Sequence, residues 1–219
     1  MPDIEKINNV AVADISKLDS ITFADGQKVN NQSVSLVTDA HTLISTHTAS
    51  ASASLDITSG IDSTYDVYEF HFVNLHPATN AYYPAFNPST DGGSSYGVAT
   101  TTSFFKASHT EADATSLAYV GGYDHAQDAT GPIYMSEDVG SDDADKSGSG
   151  IMTLYEPSST TYVKHFLIKM NIYVTADVSL NSYVAGYINT TSAVDAIKFQ
   201  FSHGNMDSGT IKMYGLAKS

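Results

Sequence analysis

Apolar side chains in this chain recur at every second position, and nowhere at helical spacing for more than two turns. Tyr68, Phe70 and Phe72 alternate with Val67, Glu69, His71 and Val73. Phe166, Ile168, Met170 and Ile172 alternate across 163–174. Ile197, Phe199 and Phe201 alternate with Lys198 and Gln200, and Ile211 and Met213 with Thr210, Lys212 and Tyr214. A strand shows successive side chains to opposite faces, so each segment predicts a strand with one buried and one wet side. Shorter strands are predicted over 116–120, 132–135, 151–155 and 182–189. Roughly eight strands, separated by turns and with no helix between them, predict an all-β fold: an antiparallel β-sandwich, jelly-roll-like. The segments around Phe199 and Met213 are joined by His203-Gly204-Asn205-Met206-Asp207-Ser208-Gly209 and read as a tight closing pair leaning on a larger sheet. Pro84 and Pro88 bracket Phe86 and predict an edge or broken strand, because proline cannot donate to a ladder.

An eleven-residue repeat opens the chain. Ile4-Glu5-Lys6-Ile7-Asn8-Asn9-Val10 is echoed by Ile15-Ser16-Lys17-Leu18-Asp19-Ser20-Ile21, and a weaker copy is Lys28-Val29-Asn30-Asn31. Each copy sets a turn pair beside apolar residues, which predicts short strand–turn units. Such units bury little alone, so they read as an extended arm over 1–49 that lies along another surface, or as a first meander of the main domain. The Ser/Thr/Ala-rich stretch 38–60 is a linker or a small-residue strand. It places the boundary near residue 50, with the sandwich over 50–219.

With 219 residues the chain buries enough surface to need no staple, which suits its lack of cysteine. It also lacks arginine, and its formal net charge is −14, so nucleic acid is repelled and no guanidinium fork grips phosphate. No apolar run reaches the ~20 residues of a membrane-spanning helix, so no membrane insertion is expected. Residues 107–149 hold nine carboxylates against Lys146 alone, and read as long surface loops.

Within them, Asp143-Ala144-Asp145-Lys146-Ser147-Gly148 matches the first half of a calcium loop. Position 12, which normally supplies a bidentate glutamate, is Leu154, so Asp143 and Asp145 are weak metal candidates beside a plain acidic loop. Gly93-Ser94-Ser95-Tyr96-Gly97 fits G-x-S-x-G but lacks the strand-to-helix setting of a nucleophile elbow. Eight scattered histidines form no H-E-x-x-H, and His71 and His165 fall on strand faces opposite the main aromatics. No catalytic residue and no cofactor is expected. Tyrosines of the loop-rich middle, Tyr96, Tyr119, Tyr123 and Tyr134 with Tyr82 and Tyr83, are candidates to stack on a glycan, or else fill core and interfaces.

The order of features resembles a known family. The aromatic strand YDVYEFHFVNLHP is followed by Ser89-Thr90-Asp91-Gly92-Gly93, then Ile151-Met152-Thr153-Leu154-Tyr155 with Pro157-Ser158-Ser159. Gly186-Tyr187-Ile188-Asn189-Thr190-Thr191 comes next, and Ser208-Gly209-Thr210-Ile211-Lys212-Met213-Tyr214-Gly215 closes the chain. This is similar to the β-sandwich domain of many tailed-bacteriophage virion proteins, particularly tail-fibre and surface-decoration proteins of marine phages. The opening repeat resembles the I-x-K-(I/L/V)-(N/D) repeats that precede such domains. The resemblance implies a non-enzymatic structural protein of the virion, assembled in the host cytoplasm, often as a homotrimer. Its arm, through Ile4, Ile7, Val10, Ile15, Leu18 and Ile21, would contact a neighbouring tail, portal-adaptor or capsid protein. Its sandwich would face outward, at the tail or fibre, or alternatively as capsid decoration, or as a module for a host-surface glycan.

Overall fold

The computed structural model describes residues 6–7, 10–11, 28–29, 32–33, 41–129 and 131–216. The chain divides into two units, Met1–Asp39 and Ala40–Ser219. In the first, β1 (Lys6–Ile7) pairs antiparallel with β2 (Val10–Ala11), and β3 (Lys28–Val29) with β4 (Gln32–Ser33). Ile7 lies opposite Val10 and Val29 opposite Gln32, so the partners flank the dipeptides that the sequence marks as turn pairs. Of the expected arm contacts, Ile7 and Val10 lie on these strands. Ile4, Ile15, Leu18, Ile21 and the middle turn pair fall outside the described residues.

The second unit has no helix among its described residues. Its strands are β5 (His41–Thr48), β6 (Leu55–Ile57), β7 (Val67–Pro77), β8 (Pro84–Ser89), β9 (Thr100–Thr110) and β10 (Thr115–Tyr119). They continue with β11 (Ala126–Asp128), β12 (Ile133–Tyr134), β13 (Gly148–Tyr155), β14 (Lys164–Val174), β15 (Val178–Ile188), β16 (Ala196–Phe201) and β17 (Met206–Leu216). A large sheet runs β10-β9-β15-β14-β13-β7-β17-β5, with β11 also on β9, and a smaller one runs β12-β8-β16-β6. All pairings are antiparallel, so the expected all-β sandwich is what forms.

The layers meet through aromatic rings. Phe199 of β16 lies 5.3 Å from Phe70 and 5.2 Å from Phe72, both of β7, and Phe86 of β8 lies 5.1 Å from Phe166 of β14. Phe70, Phe72, Phe166, Ile168, Met170, Ile172, Ile197, Phe199, Phe201, Ile211 and Met213 are all buried, as their alternation predicts.

Three expectations change. The segments around Phe199 and Met213 are not a pair. β16 bonds β6 and β8 in the small sheet, whereas β17 bonds β5 and β7 in the large one. Residues 202–205 carry the chain from one layer to the other, with Gly204 at φ +67° and a Cβ there only 3.0 Å from the Tyr82 ring. Two-residue periodicity fixes which side of a strand is buried but not which strand lies beside it.

β8 is not an edge, because β16 flanks it on one side and β12 on the other. The Pro84 carbonyl accepts from the Met135 amide, so Pro84, Phe86 and Pro88 turn their backbone polar groups toward β12. β12 has only two residues and needs a donor only from Phe86, so the prolines withhold nothing.

The boundary also lies ten residues earlier than expected, between Asp39 and Ala40. His41–Thr48 is strand β5, paired to β17 along its length, and belongs to the sandwich instead of the arm.

Candidate functional site

The small sheet covers one face of the large one. The register of the large sheet gathers what faces the other way. One outward row runs Tyr119, Phe105, Tyr183 and Lys169 across β10, β9, β15 and β14. It continues through Ile151, His71 and Lys212 on β13, β7 and β17. The next row holds Ser103, Ala185, Leu167, Thr153, Glu69 and Tyr214. A third includes Thr101, Tyr187, His165, Val67 and Leu216.

At the centre Phe105 (44 % exposed), Ile151 (41 %) and Leu167 (51 %) surround a shallow apolar groove of about 330 Å³ with Tyr183 and Ala185. The Phe105 and Tyr183 rings stack on each other, 4.9 Å apart and 8° from parallel, and the Lys169 ammonium lies 5.6 Å from the Tyr183 ring. Exposed aromatic and aliphatic side chains adjoin here instead of being scattered singly.

A polar cluster adjoins the groove. The imidazole Nε2 atoms of His41 and His71 lie 3.2 Å and 2.9 Å from one oxygen, Glu69 Oε2. The Tyr214 ring packs 4.8 Å from that of His71. Glu69 is the one carboxylate in the three outward rows. His165 stands apart from this cluster, edge-on to Tyr187.

A second concavity, about 550 Å³, lies at one end of the sheet between the β9–β10 and β14–β15 turns, where His109, Glu111, Asn171, Tyr173, Asp177 and Ser179 converge. The Tyr173 hydroxyl donates toward Asp177 (3.2 Å) and Glu111 (3.3 Å). Burial first, then the Asp177 and Glu111 carboxylates, push its pKa up to about 12.

The acidic loop places Asp143 and Asp145 in solvent. The cation at its centre is the buried Lys146, whose Nζ donates to Asp177 (3.1 Å), Asp142 (3.2 Å) and the Thr175 carbonyl (3.0 Å). Burial alone would lower the Lys146 pKa, but Asp177 and Asp142 outweigh it and raise it. Among the described residues no group of three or more His, Asp or Glu side chains is arranged to hold a metal ion.

Three of the candidate glycan tyrosines come together, but packed on one another, and Tyr96 and Tyr119 lie apart from them. Tyr123 and Tyr134 pack with Tyr83, ring centroids 5.1–5.6 Å apart, and Tyr123 also meets the buried Phe104. Tyr123 and Tyr134 are partly buried against the core. The Lys198 ammonium covers the Tyr96 ring at 4.2 Å, and the Tyr96 hydroxyl is shielded from solvent. Tyr119 alone is open, 61 % exposed at the end of the outward row, its hydroxyl donating to Asp124 at 2.6 Å.

The G-x-S-x-G stretch is a turn built on Asp91 rather than an elbow. One Asp91 oxygen accepts from the Ser89 hydroxyl (2.7 Å) and the Ser95 amide (2.8 Å), and the other accepts from the Ser95 hydroxyl (2.6 Å). The hydroxyl of Ser95, then that of Ser89, hold the Asp91 pKa down at about 2, from an ordinary 3.8. A carboxylate depressed in the folded state stabilises it above the unfolded value and loses that contribution as pH falls through the folded one. The Asp91 carboxyl signal is therefore expected to titrate in ¹³C NMR with a midpoint near 2. A midpoint near 3.8 would show the serine bonds to be absent in solution.

The sequence reading missed the apolar members of the outward face. Phe105, Ile151 and Leu167 were each available as a signal, being apolar residues out of phase with the core positions of their own strands.

Comparison of the chain with protein-family models, with curated proteins and with solved structures finds no match.

Proposed function

We propose that this chain is a non-enzymatic structural protein of a tailed-phage virion, tail- or fibre-associated in preference to capsid decoration. The repeat arm anchors it to a neighbouring virion protein, and the sandwich packs against copies of itself. The phage setting rests on the resemblance of the closing segments and of the opening repeat. The architectural role is supported by one structural observation. The outer face of the large sheet has an apolar centre that nothing in the described residues covers. A sheet face with exposed apolar side chains at its centre is suited to assembly.

Deleting residues 1–35 tests the anchor. It leaves β5 and every later strand intact. The truncated protein is expected to fold, with a melting temperature within about 2 °C of the full chain, and to be missing from purified particles. Incorporation at the full-length level would defeat the anchor. Saturable binding of a host polysaccharide by a chain that never enters particles would replace this reading with glycan recognition.

A further inference from the structure

We propose that the outer face of the large sheet, centred on Ile151, Leu167, Phe105 and Tyr183, is buried against the same face of a second copy of this chain.

Extent comes first. Eight strands lie side by side in this sheet. At ~4.8 Å between strands and ~7 Å between outward rows, three rows make a face of roughly 750 Å². That is close to the ~800 Å² that each partner buries in a stable interface.

Charge comes second. The chain carries a net −14, and a copy approaching the acidic loops is repelled. The three outward rows hold one carboxylate, Glu69, and two lysines, Lys169 and Lys212. This face can meet itself with far less carboxylate repulsion than the acidic loops would bring.

Chemistry at the centre decides between a protein and a sugar. A glycan platform needs an open aromatic face with hydrogen-bonding groups around it. Here Phe105 and Tyr183 are stacked on each other, and Lys169 takes the Tyr183 ring. The rest of the groove is mostly Ile151, Leu167, Ile168, Val184 and Ala185, against the polar Thr153 and Lys169, so few groups there can bond a sugar hydroxyl. Aliphatic side chains beside paired rings suit a second apolar sheet face, and packed sheets interdigitate such rows at ~10 Å separation.

The inference deepens the self-packing part of the function proposed above. It fails separately from the anchor, because loss of particle incorporation on deleting 1–35 leaves this contact in place.

The test uses the full chain. The wild type is expected to sediment as an oligomer at tens of micromolar, and Ile151→Glu with Leu167→Glu to dissociate at least about 100-fold more readily, as for two central anchor residues. The chain contains no cysteine, so an introduced thiol is the only one present. Thr153→Cys, at the middle of the second row, is expected to cross-link copies on mild oxidation. Ser192→Cys, exposed on the β15–β16 loop, is not. A monomeric wild type would overturn the proposal. So would a double variant that still associates, or cross-linking through residue 192 in place of 153. The cysteine pair decides the matter even if the double variant folds poorly.

Discussion

Phe199→Asp is expected to abolish the cooperative thermal transition of this protein. Phe199 is fully buried and stands where the two layers meet. Its ring lies 5.3 Å from Phe70, 5.2 Å from Phe72 and 6.4 Å from Phe86. Across the small sheet it sits in register between Leu55 and Phe86. Truncating such a phenylalanine costs about 3–5 kcal/mol through lost transfer energy and the cavity left behind. A carboxylate in the same space adds several kcal/mol, since the Phe70, Phe72 and Phe86 rings around it supply neither a cation nor a hydrogen-bond donor. Together these approach the ~5–15 kcal/mol that holds a domain folded. Phe199→Leu, which keeps the space apolar, is expected to retain a sharp melt at a lower temperature. The comparison is made by circular dichroism. A Phe199→Asp melt within a few degrees of the wild type would mean that this ring does not bridge the layers.

That result rests on a face that the sequence declares openly. Alternation at Phe70 and Phe72, at 166–172 and at 197–201 is strict, and all of those core positions are buried. What alternation does not carry is the identity of the neighbour. β16 and β17 have the same pattern and adjoin in sequence, yet they belong to opposite layers.

β9 escapes for another reason. Its inward positions include Thr100 and Thr102, which read as polar, and its outward positions include Phe105. The threonines are buried because His125 satisfies them. The Thr100 hydroxyl lies 2.9 Å from His125 Nδ1, and the Thr102 hydroxyl accepts from the His125 amide at 2.8 Å. No local pattern announces a partner 23 residues away. The outward face is hidden in the same way. Phe105, Ile151 and Leu167 are scattered over 62 residues of sequence, and only the register of four strands makes them one patch.

The arm repeat was legible because its signal is local. A turn dipeptide flanked by apolar residues needs nothing distant, and the pairs Ile7–Val10 and Val29–Gln32 form around two of the three predicted positions.

Gly150→Val is expected to lower the melting temperature by about 10 °C or to prevent folding, an effect of ~3–5 kcal/mol spread over a domain of this size. Gly150 lies in β13 opposite Met170 of β14 and Phe72 of β7, beside a register shift between Gly148 and Gly150. A Cβ built there would meet Met170 Cγ at 2.6 Å, Met170 Cα at 2.8 Å and the Lys169 carbonyl oxygen closer still. Two of these three are backbone atoms of β14, so no rotamer change relieves the contact. The strands must part, and the ladder from Gly148–Ile172 to Leu154–Phe166 parts with them. Those strands carry Met152, Leu154, Phe166, Ile168 and Met170 into the core, so the cost spreads beyond one residue. Backbone conformation is not the cause, because Gly150 is not among the residues with positive φ. Gly122→Ala separates the two effects, since a Cβ there meets nothing within 4 Å, and its melt is expected to stay within about 2 °C of the wild type. Equal melts for Gly150→Val and Gly122→Ala would show that β13 and β14 do not approach at this point.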